Sequence, residues 1–160
     1  MNDWSNFFVA NAGASAALTG LIFVGVSINL TKILSMTLMP ERAVISLILL
    51  FSILIRSVLL LVPGKTLHAI GIEILVTGFI TWSIVTLLDF VIIRKKEKKW
   101  KRLYVLNLFF NQVALFPYFI CGIVILNHGV DGLYWIVIAF IFSYIKAVID
   151  AWVLLVEINR

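Results

Sequence analysis

Five apolar stretches, at residues 7–30, 43–62, 70–93, 103–126 and 133–155, take up most of this chain. Each has the roughly 20 apolar residues that a helix needs to cross the hydrocarbon layer of a bilayer. A backbone in lipid has to satisfy its own hydrogen bonds, so helices are the form such stretches must take. The expected fold class is all-α: a polytopic integral membrane helix bundle with five transmembrane helices, forming one domain over residues 1–160.

Composition rules out the soluble alternative. Of the 160 residues, 62% are hydrophobic and 13% charged, and the mean hydropathy is +1.11. Soluble domains average about 45–50% apolar and about 25% charged residues. One small core cannot hide that excess, so the bilayer has to be the solvent. The joints carry ordinary punctuation. Pro40 in MPER suits the first turn of the second helix, where its missing N–H costs nothing. VPGK closes that helix, IRKKEKKWKR separates the third from the fourth, and NHGVDG the fourth from the fifth. The opening MNDWSNFF lacks a basic n-region, and no small-residue cleavage site follows, so the first stretch is expected to stay as a span.

The net charge of +5 is concentrated. Seven of the thirteen basic residues are Arg94, Lys95, Lys96, Lys98, Lys99, Lys101 and Arg102. In so apolar a chain this cluster fits membrane lipids with anionic headgroups at the cytoplasmic face, and not nucleic acid. Loops rich in Lys and Arg stay in the cytoplasm. Lys32, Arg42 and Arg160 then fall on the same side, leaving Lys65 alone among the external loop cations. The N-terminus is outside and the C-terminus cytoplasmic. Trp4 and Trp135 fall at the outer boundary, Trp100 and Trp152 near the inner one, and Trp82 mid-span, an independent signal for the same topology.

Charged residues inside the spans are the candidates for function. Arg56 lies six residues before the outer end of the second stretch, roughly 9 Å deep at the helical rise. Insertion is not threatened: the fifteen Leu, Ile, Val and Phe of that stretch, at about −0.3 to −0.6 kcal/mol each, outweigh about +3 kcal/mol for one central Arg. Glu73, across the short PGKTLHA connection, is the expected partner, with Ser52 and Thr77 extending the two polar faces. Either the two form a buried ion pair, which holds the hairpin or also lines a route, or Arg56 snorkels to the outer headgroups. Nearer the cytoplasm, Ser143, Lys146 and Asp150 share a face, and Lys146 and Asp150 are spaced to pair at i,i+4. Asp89 is a further partner for them. Tyr104, Asn107, Asn111 and Tyr118 form a stripe on the fourth stretch with Gln112 beside it, either interhelical glue or the lining of a hydrated cavity. Pro117 interrupts the backbone bonding of the same helix.

The first stretch carries a small-xxx-small ridge, Ala12, Ala16 and Gly20, flanked by Asn11, Ser15 and Thr19. Such a ridge admits close helix packing, within the protomer or as a subunit seam. Because five helices enclose little interior, a pore would need several copies, and the expected assembly is a homo-oligomer.

The chain has no HExxH, paired CxxC, Walker loop or dinucleotide fingerprint. His68 and His128 fall in separate external joints, Cys121 lies in an apolar run, and the serines lack a His/Asp constellation. No enzyme activity, metal or cofactor is expected.

The stretch FFVANAGASAALTGLIFVGVSINLTKIL, with a weaker pattern through LVPG, resembles the opening of small uncharacterised bacterial membrane proteins, some labelled modulators of a membrane-bound ATP-dependent protease. The resemblance implies a bacterial inner-membrane location and assigns no functional residue. The expected function is a homo-oligomeric channel or transporter for small ions or solutes, with Arg56, Glu73, Lys146, Asp150, Asp89, Asn107 and Asn111 on its polar route. The alternative is a membrane-embedded adaptor or modulator, whose polar residues bind a membrane-protein partner.

Overall fold

In the computed structural model, which describes residues 2–35, 39–95 and 101–158, the apolar stretches are helical apart from a turn at Asn29 and the last residue, Val62, of the second. The helices are α1 (Asn2–Ile28), the short α2 (Leu30–Ser35), α3 (Met39–Leu61), α4 (Leu67–Lys95), α5 (Lys101–His128) and α6 (Leu133–Ile158). Four stretches are long and apolar enough to cross a membrane: Trp4–Ile28, Met39–Leu61, Leu67–Arg94 and the 53-residue Tyr104–Val156. The last contains both α5 and α6, divided by a 3-10 turn at Gly129–Gly132. Gly129, at φ 74°, supplies the left-handed step of that turn, and Gly64, at φ 77°, does the same between α3 and α4. Pro40 is the second residue of α3, where no backbone donor is needed.

The neighbours are α3 with α4, α4 with α5, α5 with α6, and α6 with α3. These four helices close a ring, up-down-up-down, and α1 packs outside it, mainly against α3 and also along α6 through Trp4, Phe7 and Asn11. Half of the apolar window of α3 is buried, against 17% for α1, which identifies α3 as the central helix and α1 as peripheral. The ring core holds Ile45, Leu49, Leu50 and Ile53 of α3, Ile74 and Val85 of α4, Leu115 and Ile125 of α5, and Ile136 and Phe140 of α6.

Burial runs opposite to that of a soluble bundle. Leu21, Leu87 and Phe109 are exposed by 70%, 66% and 59%, while Arg56, Asp89, Lys146 and Asp150 are exposed by 1%, 2%, 6% and 3%. An apolar exterior around an ionic interior is stable only where the surroundings are apolar too. The protein is a multi-pass membrane protein built as an all-α bundle.

Between helices in lipid, packing contacts and hydrogen bonds replace the hydrophobic effect as the main adhesive. Two helices approach closely at a glycine pair absent from the expected seam. A Cβ on Gly122 of α5 would lie 2.5 Å from Leu75 Cγ and 3.1 Å from the Gly71 carbonyl oxygen of α4. One on Gly71 would lie 2.9 Å from Leu126. The ridge on α1 packs nothing of this kind: Ala16 and Gly20 are exposed, Ala12 is half-exposed, and a Cβ on Gly20 would meet nothing within 4 Å. The α1 side chains that turn inward are Phe8, Ser15 and Thr19. Of the two placements expected for the ridge, within the protomer or as a subunit seam, the structure does not show the first. Small residues mark where close approach is allowed, but α1 meets α3, and through Trp4, Phe7, Asn11 and Gly25 also α6, on other faces.

The helix alternation sorts the charges by end. Trp4, Tyr134 and Lys65 belong to one end, where Trp4 and Tyr134 touch ring to ring at 5.2 Å. Arg42, Arg94 and Arg102 belong to the other, hereafter the basic end. Arg94 and Arg102 are exposed, and Lys95 and Lys101 are the terminal residues of α4 and α5. Lys96, Lys98 and Lys99, which complete the expected headgroup-binding cluster, lie outside the described residues, as does Trp100.

Candidate functional site: a polar line along the bundle axis

Each helix of the ring sends polar side chains to its axis. From α3 comes Arg56. Side chains on a helix lean toward its N-terminus, and α3 begins at the basic end, so Arg56 leans away from the nearer surface and into the bundle. Its Nη1 donates to the carbonyl of Ser52, one turn back, at 3.0 Å, and its Nη2 to Thr81 Oγ1 of α4 at 3.1 Å. The guanidinium carbon lies 3.9 Å from the ring centre of Tyr118 on α5. Nε is buried without a hydrogen-bond partner among the described residues, as is the hydroxyl of the adjacent Ser57. No carboxylate among the described residues forms an ion pair with Arg56.

The expected Arg56–Glu73 pair is therefore not formed. Glu73 accepts from Lys65 Nζ at 2.5 and 2.7 Å, and the same ammonium donates to the Leu59 carbonyl at the end of α3. Glu73 lies near the surface that Arg56 leans away from, and Lys65 in the turn is close enough to take both carboxylate oxygens. Snorkelling is overturned by the same geometry. Thr77 bonds to the carbonyl of Glu73 on its own helix and, through its own carbonyl, accepts from Thr81 at 2.8 Å.

Tyr118 links the two halves of the axis. Its hydroxyl meets Ser143 Oγ of α6 at 3.1 Å, and Ser143 also reaches the Ala114 carbonyl of α5 at 3.4 Å, beside the backbone that Pro117 interrupts. One turn further along α6, Lys146 donates to Asp150, the i,i+4 pair the spacing indicated. Across from them Asp89 of α4 accepts from Asn111 Nδ2 of α5 at 2.8 Å, and the charges of Lys146, Asp150 and Arg42 all act on it. Ser46 of α3 donates to the Ala147 carbonyl at 2.7 Å, fixing α3 to α6 at this level. Gln112, beside the stripe, bonds instead to Trp82 at 2.5 Å and Thr86 at 3.2 Å on α4, away from the axis.

At the basic end a cleft of about 310 Å³ leads from the surface to this cluster. Arg42, Asn107, Lys146 and Asp150 are its polar lining; Phe110, Val113, Phe142, Ile145, Ile149 and Val153 are the rest. Arg42 had been placed in the sequence only as a topology marker. The signal that locates it is depth: three residues into α3, it lies about 5 Å from the helix start, with Asp89 and Asn107 about 9 Å from the same end.

Of the seven expected route residues, the structure gathers Asp89, Asn111, Lys146 and Asp150 into one cluster. Asn107 stands at its mouth and Arg56 further along the axis, while Glu73 is removed to the periphery. Cys121 is buried within electrostatic reach of Arg56. His68 and His128 are exposed at the Trp4 end, and no group of metal-binding side chains occurs among the described residues. No protein-family model, curated protein or solved structure matches the chain.

Proposed function

We propose that the protein is a transporter or channel for a small ion or solute and that the route follows the axis of the four-helix ring. The observation that carries this reading is the placement of Arg56, Asp89, Lys146 and Asp150, all buried, inside a bundle of predominantly apolar helices. Charges within spans are costly and mark ion pathways, and a buried ionic cluster gives no stability that a well-packed apolar core would not also give. The Lys146–Asp150–Asp89 cluster is the loading site reached from the basic end, Tyr118 and Ser143 form the constriction, and Arg56 sets the field beyond it. In this reading α5 and α6 each cross the bilayer, making five spans in a bacterial inner membrane. The N-terminus is outside, and the basic end lies in the cytoplasm, held by anionic headgroups. The chain acts without enzyme activity or cofactor.

The homo-oligomer belongs to the same proposal. With the route inside one bundle, several copies are no longer needed to form a pore, and the ground for the assembly is instead the outward Ala16 and Gly20 of α1, left for a seam between copies. That outward face also supports the rival reading, an adaptor whose α1 docks on another membrane protein, of the kind the resemblance to protease modulators suggests.

The test is flux through the purified protein in liposomes under imposed gradients of protons, sodium, potassium and chloride. Transport predicts flux that falls when Lys146 and Asp150 are replaced together by Met and Leu, and that persists in Lys65→Met, away from the axis. Absence of flux under every gradient, together with a stoichiometric membrane partner in native extracts, would establish the adaptor instead.

A further inference from the structure

The cleft at the basic end opens onto the bilayer-facing surface of α5 and α6. Phe110, Ile145 and Ile149 on its walls are exposed by 57%, 51% and 53%, like the lipid-facing surface around them. These outward walls are apolar, and in a membrane what lies against them is an alkyl chain. The cleft's volume is within the range of about 300–1,000 Å³ that small-molecule sites occupy.

The lining is graded along the membrane normal. Arg42 lies about 5 Å from the start of α3 and Asn107 about 9 Å from the start of α5, whereas Val113 is about 18 Å in. On α3 and α5 the polar lining lies at headgroup depth with apolar side chains below it, the head-to-tail order of an amphiphile. Lys146 and Asp150 of α6, about 18 and 12 Å from the same end, lie as deep as the apolar part and are held by each other. The charge at the mouth is positive. Arg42 Nε is buried without a hydrogen-bond partner among the described residues, and its guanidinium faces the Tyr104 ring at 5.9 Å. The one carboxylate in the lining, Asp150, sits deeper and is held by Lys146. A guanidinium fork is suited to a phosphodiester.

We infer that this cleft binds one anionic phospholipid of the leaflet at the basic end, its phosphate on Arg42 and Asn107 and one acyl chain between α5 and α6. The site is separate from the Arg94–Arg102 cluster and does not depend on the transport proposal.

Native mass spectrometry of the full chain, released from nanodiscs of equal phosphatidylglycerol and phosphatidylcholine, tests the assignment. The wild type keeps one phosphatidylglycerol under activation that strips phosphatidylcholine. Arg42→Gln lowers that retention about fivefold, as expected for one basic side chain at an anionic headgroup. Val113→Trp, which fills the cleft and leaves every charge in place, lowers it at least as much, and serves alone if Arg42→Gln does not fold. Arg94→Gln leaves it unchanged. The assignment is overturned if the two lipids are kept equally, or if both cleft variants retain phosphatidylglycerol like the wild type. It is also overturned if glycerol phosphate, which has no acyl chain, binds as well as the lipid.

Discussion

The guanidinium carbon of Arg56 lies 3.9 Å from the centre of the Tyr118 ring, so the face of a phenol stands where an arginine in a span would ordinarily have a carboxylate. Ring and hydroxyl have separate tasks, and substitutions separate them. Tyr118→Phe keeps the cation–ring contact and loses only the bond to Ser143, a cost of about 1 kcal/mol. Tyr118→Leu removes the ring as well and costs about 2 kcal/mol more, the value of a desolvated cation–π contact. Unfolding of the two variants in the same detergent measures the difference. Equal stabilities would mean that the ring face contributes nothing to holding Arg56.

Charge exchange distinguishes the pair the sequence suggested from the pair that forms. Lys65→Glu combined with Glu73→Lys recovers most of the stability lost in either single change. The loss itself is on the order of 1 kcal/mol or more, because the pair is only partly exposed, at 17% and 31%, and a single reversal sets like charges together. Arg56→Glu combined with Glu73→Arg gives no recovery, since the two residues have different partners. Thermal melts of the six variants check both halves of this expectation.

What the sequence made legible was whatever depends on local periodicity. The apolar stretches located the helices, and the i,i+4 spacing found Lys146 with Asp150. Partners across helices depend on the direction a side chain leans and on which faces meet, and neither is written in spacing. Arg56 and Glu73 seemed adjacent because both lie near one hairpin. The lean of α3 side chains toward the basic end carries Arg56 to Thr81 and Tyr118 instead. Asp89 and Asn111 were both legible as polar residues, but their mutual bond appears only once α4 and α5 are packed. Arg42 was concealed for a different reason: a cation at a helix start is fully accounted for by topology, so nothing prompted a search for a cleft beside it.

The glycine pair was equally hidden, because Gly71 and Gly122 stand singly, without the i,i+4 repeat that flagged α1. Gly122→Ala should cost about 1–3 kcal/mol, the usual range for overpacking, whereas Gly20→Ala leaves the stability of the monomer unchanged. Adding Leu75→Ala to Gly122→Ala recovers only part of the loss. It clears the contact at 2.5 Å, but the Gly71 carbonyl at 3.1 Å is backbone and stays. Full recovery in the double variant would show that α4 and α5 shift apart at little cost.

Lys146 and Asp150 decide between an axis that only holds helices together and one that also conducts. Removing one partner of a buried pair leaves an uncompensated charge and costs about 3–5 kcal/mol, whereas replacing both by apolar side chains of similar size is close to neutral. Lys146→Met and Asp150→Leu should therefore each destabilise the bundle strongly, and the double variant should return near to wild-type stability. Asp89 is then left with Asn111 and the more distant Arg42, so part of the loss persists. Unfolding measurements on the three variants establish this cycle, and flux measured on the refolded double variant adds what stability cannot. If the pair serves only the fold, a variant as stable as the wild type conducts as well as the wild type. If the pair loads an ion, flux is lost while the fold is kept.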